Sequence, residues 1–380
     1  MKSEWQTKSL ADVCQFSNGL WKGENPPFVH IGVIRNTNFT KEGVLDDSDI
    51  AYLDVEEKKF EKRRLQFGDI ILEKSGGGPK QPVGRVVLFD KTEGDFSFSN
   101  FTTAIRVSDP NDLYFRFLHK FLHWTYLSGV TEGMQSHSTG IRNLNGDAYK
   151  SIKISFPLVS EQQRIVAILD KAFDGIATAK ANTEKNLQNA HAIFESHLHG
   201  FNAPRVPLGM LVKITTGKLD ANAAIEGGKY PFFTCSRDVY AIDSYAFDCE
   251  AILLAGNNAI GDFNVKHYNG KFNAYQRTYI ITVNEQKRAL CRFIYFQLLK
   301  SLKQFKDQSV GVGTKFLKIG MIQRLEIALP TSISEQEHIV SIMDAVRTET
   351  QRLETLYQQK LILLDELKKS LLHQAFSGQL

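Results

Sequence analysis

The chain contains the stretch SEQQRIVAILD at residues 160–170 and repeats it as SEQEHIVSIMD at residues 334–344. Seven of the eleven positions are identical, and each copy follows a strand-like run that ends in proline, at residues 152–157 and 325–330. Because each copy also opens a long amphipathic segment, the sequence predicts two successive units of domain plus helix. Such a duplicated plan suits a target that also has two halves.

Long helices are predicted after both copies of the repeat. Apolar or small residues recur at three- and four-residue steps from Ile165 to Phe194 and from Ile339 to Leu371. This heptad-like seam predicts helices of about 40 residues, each ~60 Å long at ~1.5 Å of rise per residue. A helix of that length needs a partner for its apolar stripe, so we expect the two to form an antiparallel coiled coil. The alternative is that each stripe docks on its own domain.

The repeated stretch also predicts where the helices begin. Ser160 with Gln163, and Ser334 with Glu337, fit the capping box, in which a hydroxyl and a side chain three residues later satisfy each other's backbone N–H groups. We therefore predict four segments, which are a first domain at 1–157, a central helix at 158–200, a second domain at 201–330 and a distal helix at 331–380.

The two predicted domains resemble each other in a fixed order. Residues 10–19 resemble 208–217, and residues 140–157 resemble 313–330 without a gap. An ordered series of matches favours duplication over chance. The predicted fold class is α/β, with two pseudo-symmetric domains of mixed strands and helices separated by two long antiparallel helices.

Composition narrows the class of protein. The 380 residues are 42% hydrophobic, and no apolar run approaches the ~20 residues that span a bilayer. The first residues lack the apolar core of a secretory signal, and the four cysteines have no Cys-x-x-Cys spacing. We expect a cytoplasmic protein with reduced core thiols, no metal site and no membrane contact.

Charge is unevenly distributed along the chain. Residues 1–157 carry 20 basic and 20 acidic side chains, whereas residues 201–330 carry 17 basic and 10 acidic ones, a net charge of +7. The positive second half is compatible with a polyanionic partner. The neutral first half disfavours nonspecific phosphate binding by a uniformly basic surface, so any contact with nucleic acid there requires a local cluster.

One short motif favours a different function. Asn25-Pro26-Pro27-Phe28 matches the catalytic motif of amino-methyltransferases, in which an Asn side chain and a proline carbonyl hold the target amino group. Such an enzyme also needs a glycine-rich loop for the methyl donor, and nothing upstream supplies one. A motif requires its structural context, so we interpret the residues as a turn before a strand at 28–34.

Polar loops in both halves carry residue types that read bases. Arg, Lys, Asn and Gln side chains can bond to purine edges at two points, and Ser and Thr add bonds to bases or phosphates. The loops fall at similar places in the two halves, which favours a shared role. The predicted DNA-binding residues are Arg35, Asn36, Asn38, Lys74, Lys80, Gln81, Ser136, His137, Ser138, Thr139 and Arg142 in the first half, and Arg237, Asn257, Asn258, Tyr275, Arg277, Thr314 and Lys315 in the second.

With these features, the chain resembles the specificity subunit of type I restriction-modification systems over nearly its full length. The resemblance rests on the two segments 157–170 and 330–344, in which a proline is followed by Ser-Glu-Gln, and on the long helix after each. FGDIIL at 67–72 with its glycine turn adds to it, as do the Gly-containing segments 138–140 and 310–313 before each terminal strand.

The resemblance implies a noncatalytic subunit with no cofactor of its own. Two target recognition domains would each read one half of a bipartite double-stranded DNA sequence, and the paired helices would fix their separation. Two modification subunits would dock on the helices and supply S-adenosylmethionine and adenine methylation, and restriction subunits would bring ATP-driven translocation and cleavage. The alternatives are an adenine methyltransferase that uses residues 25–28, and a coiled-coil adaptor that binds only protein.

Overall fold

The computed structural model describes residues 5–21, 23–78, 81–138, 141–199, 203–285 and 288–380. The chain divides into two compact units. Unit 1 comprises residues 1–182 together with 360–380, and unit 2 comprises residues 183–359. Each unit therefore contains one globular half of the chain and a part of each long helix.

Besides its parts of the two long helices, unit 1 contains short strands and four shorter α-helices within its described ranges. Its main sheet has the antiparallel order β2-β9-β5-β7, a second has the order β4-β3-β8, a third has the order β10-β11-β6, and β1 pairs with β12. The strands are β1 (Gln6–Ser9), β2 (Cys14–Asn18), β3 (Phe28–Ile34), β4 (Ala51–Glu56), β5 (Ile70–Glu73), β6 (Ser75–Gly77), β7 (Val86–Leu88), β8 (Phe96–Phe98), β9 (Thr102–Val107), β10 (Gln135–Ser138), β11 (Ile141–Leu144) and β12 (Lys153–Phe156). The helices are α1 (Leu10–Val13), α2 (Glu57–Glu61), α3 (Phe115–Leu127) and α4 (Gly146–Lys150).

The first long helix, α5 (Val159–His199), leads into unit 2, whose main sheet has the order β14-β20-β17-β19-β15-β16. Its strands are β13 (Arg205–Pro207), β14 (Val212–Thr216), β15 (Tyr230–Phe233), β16 (Tyr240–Ile242), β17 (Phe247–Ala255), β18 (Asn257–Asn258), β19 (Val265–Ala274), β20 (Thr278–Val283), β21 (Lys315–Phe316) and β22 (Glu326–Ala328). Its helices are α6 (Cys291–Lys300), α7 (Leu302–Gln308) and α8 (Ile319–Gln323), and the second long helix is α9 (Ile333–Phe376).

The two units share a strand plan. The pair β13–β22 repeats β1–β12, and β14-β20-β17 repeats β2-β9-β5. They differ at β19, whose ten residues pair with both β17 and β15 and so make one continuous sheet, whereas unit 1 has the separate strands β7 and β8 at this place. The predicted duplication and fold class are confirmed.

The central strand of each main sheet is apolar because both of its faces are covered. In β5, Ile70 and Leu72 enter the core beneath α3, whereas Ile71 enters a second core on the opposite face. In β17, Ile252 and Leu253 divide between two cores in the same way. Successive side chains of a strand point to opposite faces, so a strand buried on both sides reads as a continuous apolar run.

The long helices run antiparallel within each unit. In unit 1 the Lys180 ammonium pairs with the Asp365 carboxylate, and Arg164 donates to the carbonyl of Leu380 at 3.0 Å. The earlier residue of the first helix thus contacts the later residue of the C-terminal segment, as an antiparallel pair requires. In unit 2, His191 Nδ1 lies 3.2 Å from Glu354 Oε1. The predicted antiparallel pairing of helices is confirmed, with helices of 41 and 44 residues.

The C-terminal part of α9 belongs to the core of unit 1. Leu372 and Ala375 are fully buried there with Phe117 of α3 and Leu169 of α5. The Phe376 ring lies 5.2 Å from the ring of Phe117 in an edge-on arrangement. Within the described ranges, no helix combines the length and apolar character required to cross a membrane.

The predicted capping boxes are wrong, because both helices begin one residue before the serine. At the start of α5, the N–H groups of Glu161 and Gln162 donate to the carbonyl of Leu158. At the start of α9, the hydroxyl of Ser332 accepts from the N–H of Glu335 at 3.4 Å. Each Ser of the Ser-Glu-Gln stretch therefore lies inside the first turn, where its hydroxyl cannot act as the N-cap.

Candidate nucleic-acid interface

Two separate polar stretches of unit 1 meet in one small sheet. Residue Ser75 pairs with Asn143 and Gly77 pairs with Arg142, so the glycine turn after β5 lies along the β10–β11 hairpin. The side chains of Ser75 and Asn143 are hydrogen-bonded at 2.5 Å. Sequence predicted both stretches as DNA-contacting loops but gave no reason for them to be neighbours.

A cavity of about 390 Å³ lies beside this sheet, and a buried ion pair forms part of its wall. The Arg85 guanidinium donates two hydrogen bonds of 2.8 Å to Glu73, whose side chain is 1% exposed. Arg85 also donates to the carbonyls of Phe39 and Asn36, which ties the loop after β3 to the sheet. Neither charge is therefore available to a ligand, and the pair holds the polar rim in place.

Exposed and half-buried polar groups form the rim of this cavity. Gln81 is exposed, and its backbone pairs with Gly78 across the glycine turn. Asn36 is half-buried, and its amide donates to Glu73 Oε1 at 3.4 Å. The pairing of Glu73 with Arg85 is not predictable from sequence, because a charged pair twelve residues apart around a turn has no signature in a single sequence.

Three other predicted residues of unit 1 support the fold. Asn38 is 2% exposed; its side chain accepts from the N–H of Arg35 and donates to the carbonyl of Asp49, both at 3.0 Å. Arg35 also donates to the Asp49 carbonyl, at 3.1 Å. Lys74 donates to Asn18 Oδ1 at 2.8 Å, and its partial burial lowers the pKa of its ammonium group. Asn38 in particular is not accessible to DNA in this conformation.

The β10–β11 hairpin supplies the remaining predicted groups of unit 1. Ser136 is exposed, and Arg142 is half-buried with its guanidinium 3.4 Å from Gln135 Oε1. The backbones of His137 and Ser138 pair within the hairpin. Their side chains lie outside the described structure, as do Lys80 and Thr139 altogether.

Unit 2 gathers its predicted residues in the equivalent place. Asn257 pairs with Phe316 and Asn258 with Lys315, which repeats the contact between β6 and β11 of unit 1. The Arg277 guanidinium lies 5.3 Å from the centre of the Phe316 ring, and the carbonyl of Arg277 accepts from Gly256. Three stretches of sequence thus bring together the amides of Asn257 and Asn258 and the cations of Arg277 and Lys315. Half-buried Thr314 lies next to Lys315.

The other predicted groups of unit 2 are arranged around a tight turn. Asn258 Oδ1 accepts from the N–H groups of Ile260 and Asp262, both at 3.0 Å, which orders the turn after β18. Arg237 pairs with Asp262 at 2.6 Å, and both side chains are more than half exposed, so this pair costs little to separate. Tyr275 is half-buried, and its N–H donates to the carbonyl of Phe233.

The Asn-Pro-Pro-Phe motif lies in an exposed turn. Phe28 is the first residue of β3, and the carbonyl of Pro27 accepts from the N–H of Glu57 at 2.9 Å. Asn25 is exposed before the strand. The motif therefore adopts the turn-and-strand arrangement predicted from sequence.

Comparison with known proteins is consistent with this duplicated arrangement. Residues 2–189 and 205–362 match the sequence profile of the type I restriction modification DNA specificity domain. The chain belongs to this family. The predicted resemblance to the specificity component of these systems is confirmed.

Individual relatives match over part of their length. The chain is 41% identical over 175 residues to the Escherichia coli type I restriction enzyme EcoDI specificity subunit, an alignment that spans 46% of this chain and 38% of that protein. It is 32% identical over 139 residues to a putative type I restriction enzyme specificity subunit of Haemophilus influenzae, spanning 35% and 32% of the two chains. Both alignments cover well under two thirds of the relative.

Solved structures share the fold along the whole chain. One is a chain from a type I restriction-modification system solved to explain complex assembly and conformational transition, with a TM-score of 0.78, 16% identity and full coverage of both chains. The HsdS subunit from Thermoanaerobacter tengcongensis has a TM-score of 0.62 and 15% identity, and covers 99% of this chain and 97% of its own. At these identities the likeness concerns the fold alone.

Proposed function

We propose that this chain is the DNA-reading subunit of a type I restriction-modification complex, with one recognition domain for each half of a bipartite double-stranded target. The observation that carries the proposal is the match of one DNA specificity profile to both halves of the chain. Under this proposal, residues 1–157 and 201–330 are the recognition domains, and residues 158–200 and 331–380 are the spacer helices.

The local chemistry of unit 2 supports this role. Arg277 and Lys315 are brought together at β18 and β21, and these side chains are the types that bond to guanine and to phosphate. The +7 net charge of residues 201–330 adds long-range attraction for a polyanion.

Unit 1 reads its half-site through a local cluster, because its globular part has no net charge. Gln81 and Asn36 at the cavity rim and Arg142 on the hairpin are the candidate base-reading groups, and Ser136 is a candidate phosphate ligand. The buried Glu73–Arg85 pair holds this rim in a fixed geometry, which lowers the cost of ordering it on DNA.

The partners follow from the same proposal. Two modification subunits dock on the long helices and bring S-adenosylmethionine and adenine methylation, and restriction subunits join through the assembled complex. This chain holds neither cofactor, contacts no membrane and works in the cytoplasm. A protein-only adaptor with the same helices would leave no footprint on DNA.

Exchange of one recognition domain tests the proposal. Residues 205–330 are replaced by the equivalent segment of a relative with a different target, which leaves both α5 and α9 intact, and the variant is assembled with its modification subunits. Sequencing of methylated sites should reveal a change in one half of the target and no change in the other.

The reciprocal exchange of residues 5–157 is the matched control and should alter the opposite half. If either exchange changes both halves of the recognised sequence, the domains do not read DNA independently and the proposal fails. Retained methylation at the original site after both exchanges would place recognition elsewhere.

A further inference from the structure

Three possible metal ligands converge in unit 2 at a distance from the polar cluster of β18 and β21. A carboxylate oxygen of Glu250, a ring nitrogen of His267 and the sulfur of Cys291 all lie within 4.8 Å of one another. Glu250 Oε1 and His267 Nε2 are 2.7 Å apart. The residues are separated by 17 and 24 positions, so no short sequence motif reveals them.

The fold places these side chains on one face of the sheet. Residue Ile252 of β17 pairs with His267 of β19, and Glu250 lies two residues from Ile252, so Glu250 and His267 project to the same side. Cys291 is the first residue of α6, which packs on that face. Two strands and one helix thus supply one ligand each.

Burial and access suit an ion with one open coordination position. Cys291 is 6% exposed, whereas the side chains of His267 and Glu250 are 17% and 33% exposed. An ion can reach the group from the Glu250 side, and water can complete its coordination there. The neighbouring cation Arg292 is paired with Asp344, so its charge is already compensated.

We propose that Glu250, His267 and Cys291 bind one zinc ion. Thiolate, imidazole and carboxylate are the ligand types that zinc takes in proteins, at ~2.3 Å for sulfur and ~2.0–2.2 Å for nitrogen and oxygen. A thiolate and a carboxylate together neutralise the charge of the ion. Small side-chain shifts suffice to close the present separations around a tetrahedral centre, with the Glu250–His267 hydrogen bond giving way to the metal.

The thiol is otherwise poorly placed to ionise. Burial, followed by the charges of Glu250 and Cys249, raises the pKa of Cys291 to about 12, so the sulfur is protonated when no cation is present. Zinc binding therefore displaces a proton from Cys291 and ties the start of α6 to β17 and β19. The inference goes beyond the proposed reading of DNA and does not depend on it.

Direct metal titration of the full chain tests the site. The protein is prepared without a histidine tag, stripped with a chelator and titrated with Zn²⁺ against a chromogenic competitor. Co²⁺ serves as a second probe, because a cobalt–thiolate bond produces a charge-transfer absorption band. The wild-type chain should bind one equivalent of Zn²⁺ and develop the thiolate band with Co²⁺.

Variants assign the ligands. Cys291→Ser and Glu250→Gln should each weaken zinc binding by roughly 100-fold or more, since even outer partners of metal ligands contribute about 10–100-fold. Cys249→Ser is the matched control, because Cys249 is adjacent to Glu250 on β17 and packs in the core of the opposite face. It should bind zinc as the wild type does.

A wild-type chain that takes up no stoichiometric zinc overturns the proposal. A Cys249→Ser variant that loses zinc binding as Cys291→Ser does overturns it as well. If Cys291→Ser does not fold, the near-isosteric Glu250→Gln variant decides, because it keeps the hydrogen bond to His267 while removing the ligand charge. Unchanged zinc affinity in that variant also rejects the site.

Discussion

Gln162 accepts a hydrogen bond of 2.7 Å from the backbone N–H of Tyr114, the residue immediately before α3. The amide nitrogen of the same side chain donates to the carbonyls of Asp112 and Pro157 at 2.9 and 2.8 Å. Gln162 is 0% exposed, so its amide completes the hydrogen bonding of three backbone groups that meet at the start of α5.

The second copy of the repeat has the same arrangement. Gln336 accepts from the N–H of Leu290 before α6 and donates to the carbonyls of Arg288 and Pro330, at 3.0, 3.1 and 3.0 Å. In both copies the buried glutamine amide accepts one backbone hydrogen bond and donates two. This shared role explains why the Ser-Glu-Gln stretch recurs. The glutamine of this stretch joins the start of each long helix to its own domain.

We expect Gln162→Leu to destabilise unit 1 by about 2–4 kcal/mol. The substitution keeps the volume roughly constant but leaves the N–H of Tyr114 and two carbonyls without partners, and each buried unsatisfied group costs about 1–3 kcal/mol. Urea unfolding followed by tryptophan fluorescence measures unit 1 alone, because Trp5, Trp21 and Trp124 all belong to it. Gln163→Leu, at the exposed neighbouring position, should change stability little; equal effects of the two would contradict this role.

The stability of unit 1 should fall as the pH drops below about 6.5. His123 is 5% exposed, and burial lowers its pKa to about 3, with smaller contributions from His119, Lys368 and Lys120. Between these values the unfolded chain binds a proton that the folded chain does not, so the free energy of unfolding decreases with falling pH. Its contribution between about pH 6.5 and 5 is about 1–2 kcal/mol.

His123→Phe should reduce that pH dependence without abolishing it, because burial also lowers the pKa of His119 in the same unit, to about 4. The measurement compares the free energy of unfolding at about pH 7 and about pH 5 by tryptophan fluorescence. The control is His30→Phe at an exposed position of the same unit, which should retain the wild-type slope. A His123→Phe variant with the wild-type slope would show that another group governs the acid response.

Arg277→Ala should weaken binding of the assembled complex to its cognate duplex by about 5–150-fold at fixed salt. This range corresponds to the ~1–3 kcal/mol of a two-point arginine–guanine contact. Arg324→Ala removes an exposed arginine of the same unit that lies outside the cluster of β18 and β21, and should have a much smaller effect. Equal losses for the two variants would indicate only a general charge effect.

A matched insertion in both long helices should lengthen the unspecified DNA between the half-sites. Four residues added after Ala181 and four after Leu363 lie between the pairs Lys180–Asp365 and His191–Glu354, so both pairs keep their register. Each insertion adds ~6 Å and ~40° beyond a full turn. One base pair of DNA adds ~3.4 Å and ~35°. Because the rotation added by the insertion matches that of one base pair, we expect a spacer longer by one base pair.

Sequencing of methylated sites reads the spacer length directly. The control is the four-residue insertion after Ala181 alone, which mismatches the two ion pairs and should lower activity. An active double-insertion variant with the original spacer would mean that the helices do not set the distance between half-sites.

Periodic features of the chain were predictable from sequence. The repeat around Gln162 and Gln336, the long heptad-like seams and the apolar strand at 70–72 each follow from the spacing of residues along the chain. These patterns are local, and the structure reproduces them because both faces of the strand and one stripe of each helix are buried.

Properties that depend on contacts between distant residues were not predictable. Asn38 and Arg277 are both polar loop residues in sequence, yet one is buried beneath a turn and the other stacks beside Phe316. The Glu73–Arg85 pair arises only when the glycine turn folds back on the main sheet. The candidate interface was therefore predicted by residue type, and its grouping required the fold.

The contribution of α9 to the core of unit 1 has a consequence for biosynthesis. Leu372, Ala375 and Phe376 leave the ribosome only after all of unit 2 has been translated, yet they belong to the core of unit 1, where Phe376 contacts Phe117. Unit 2 has no such delay in its own core, so it can fold while the first-made half still waits for its last helix. A premature stop near residue 360 would therefore damage the half of the protein that was synthesised first.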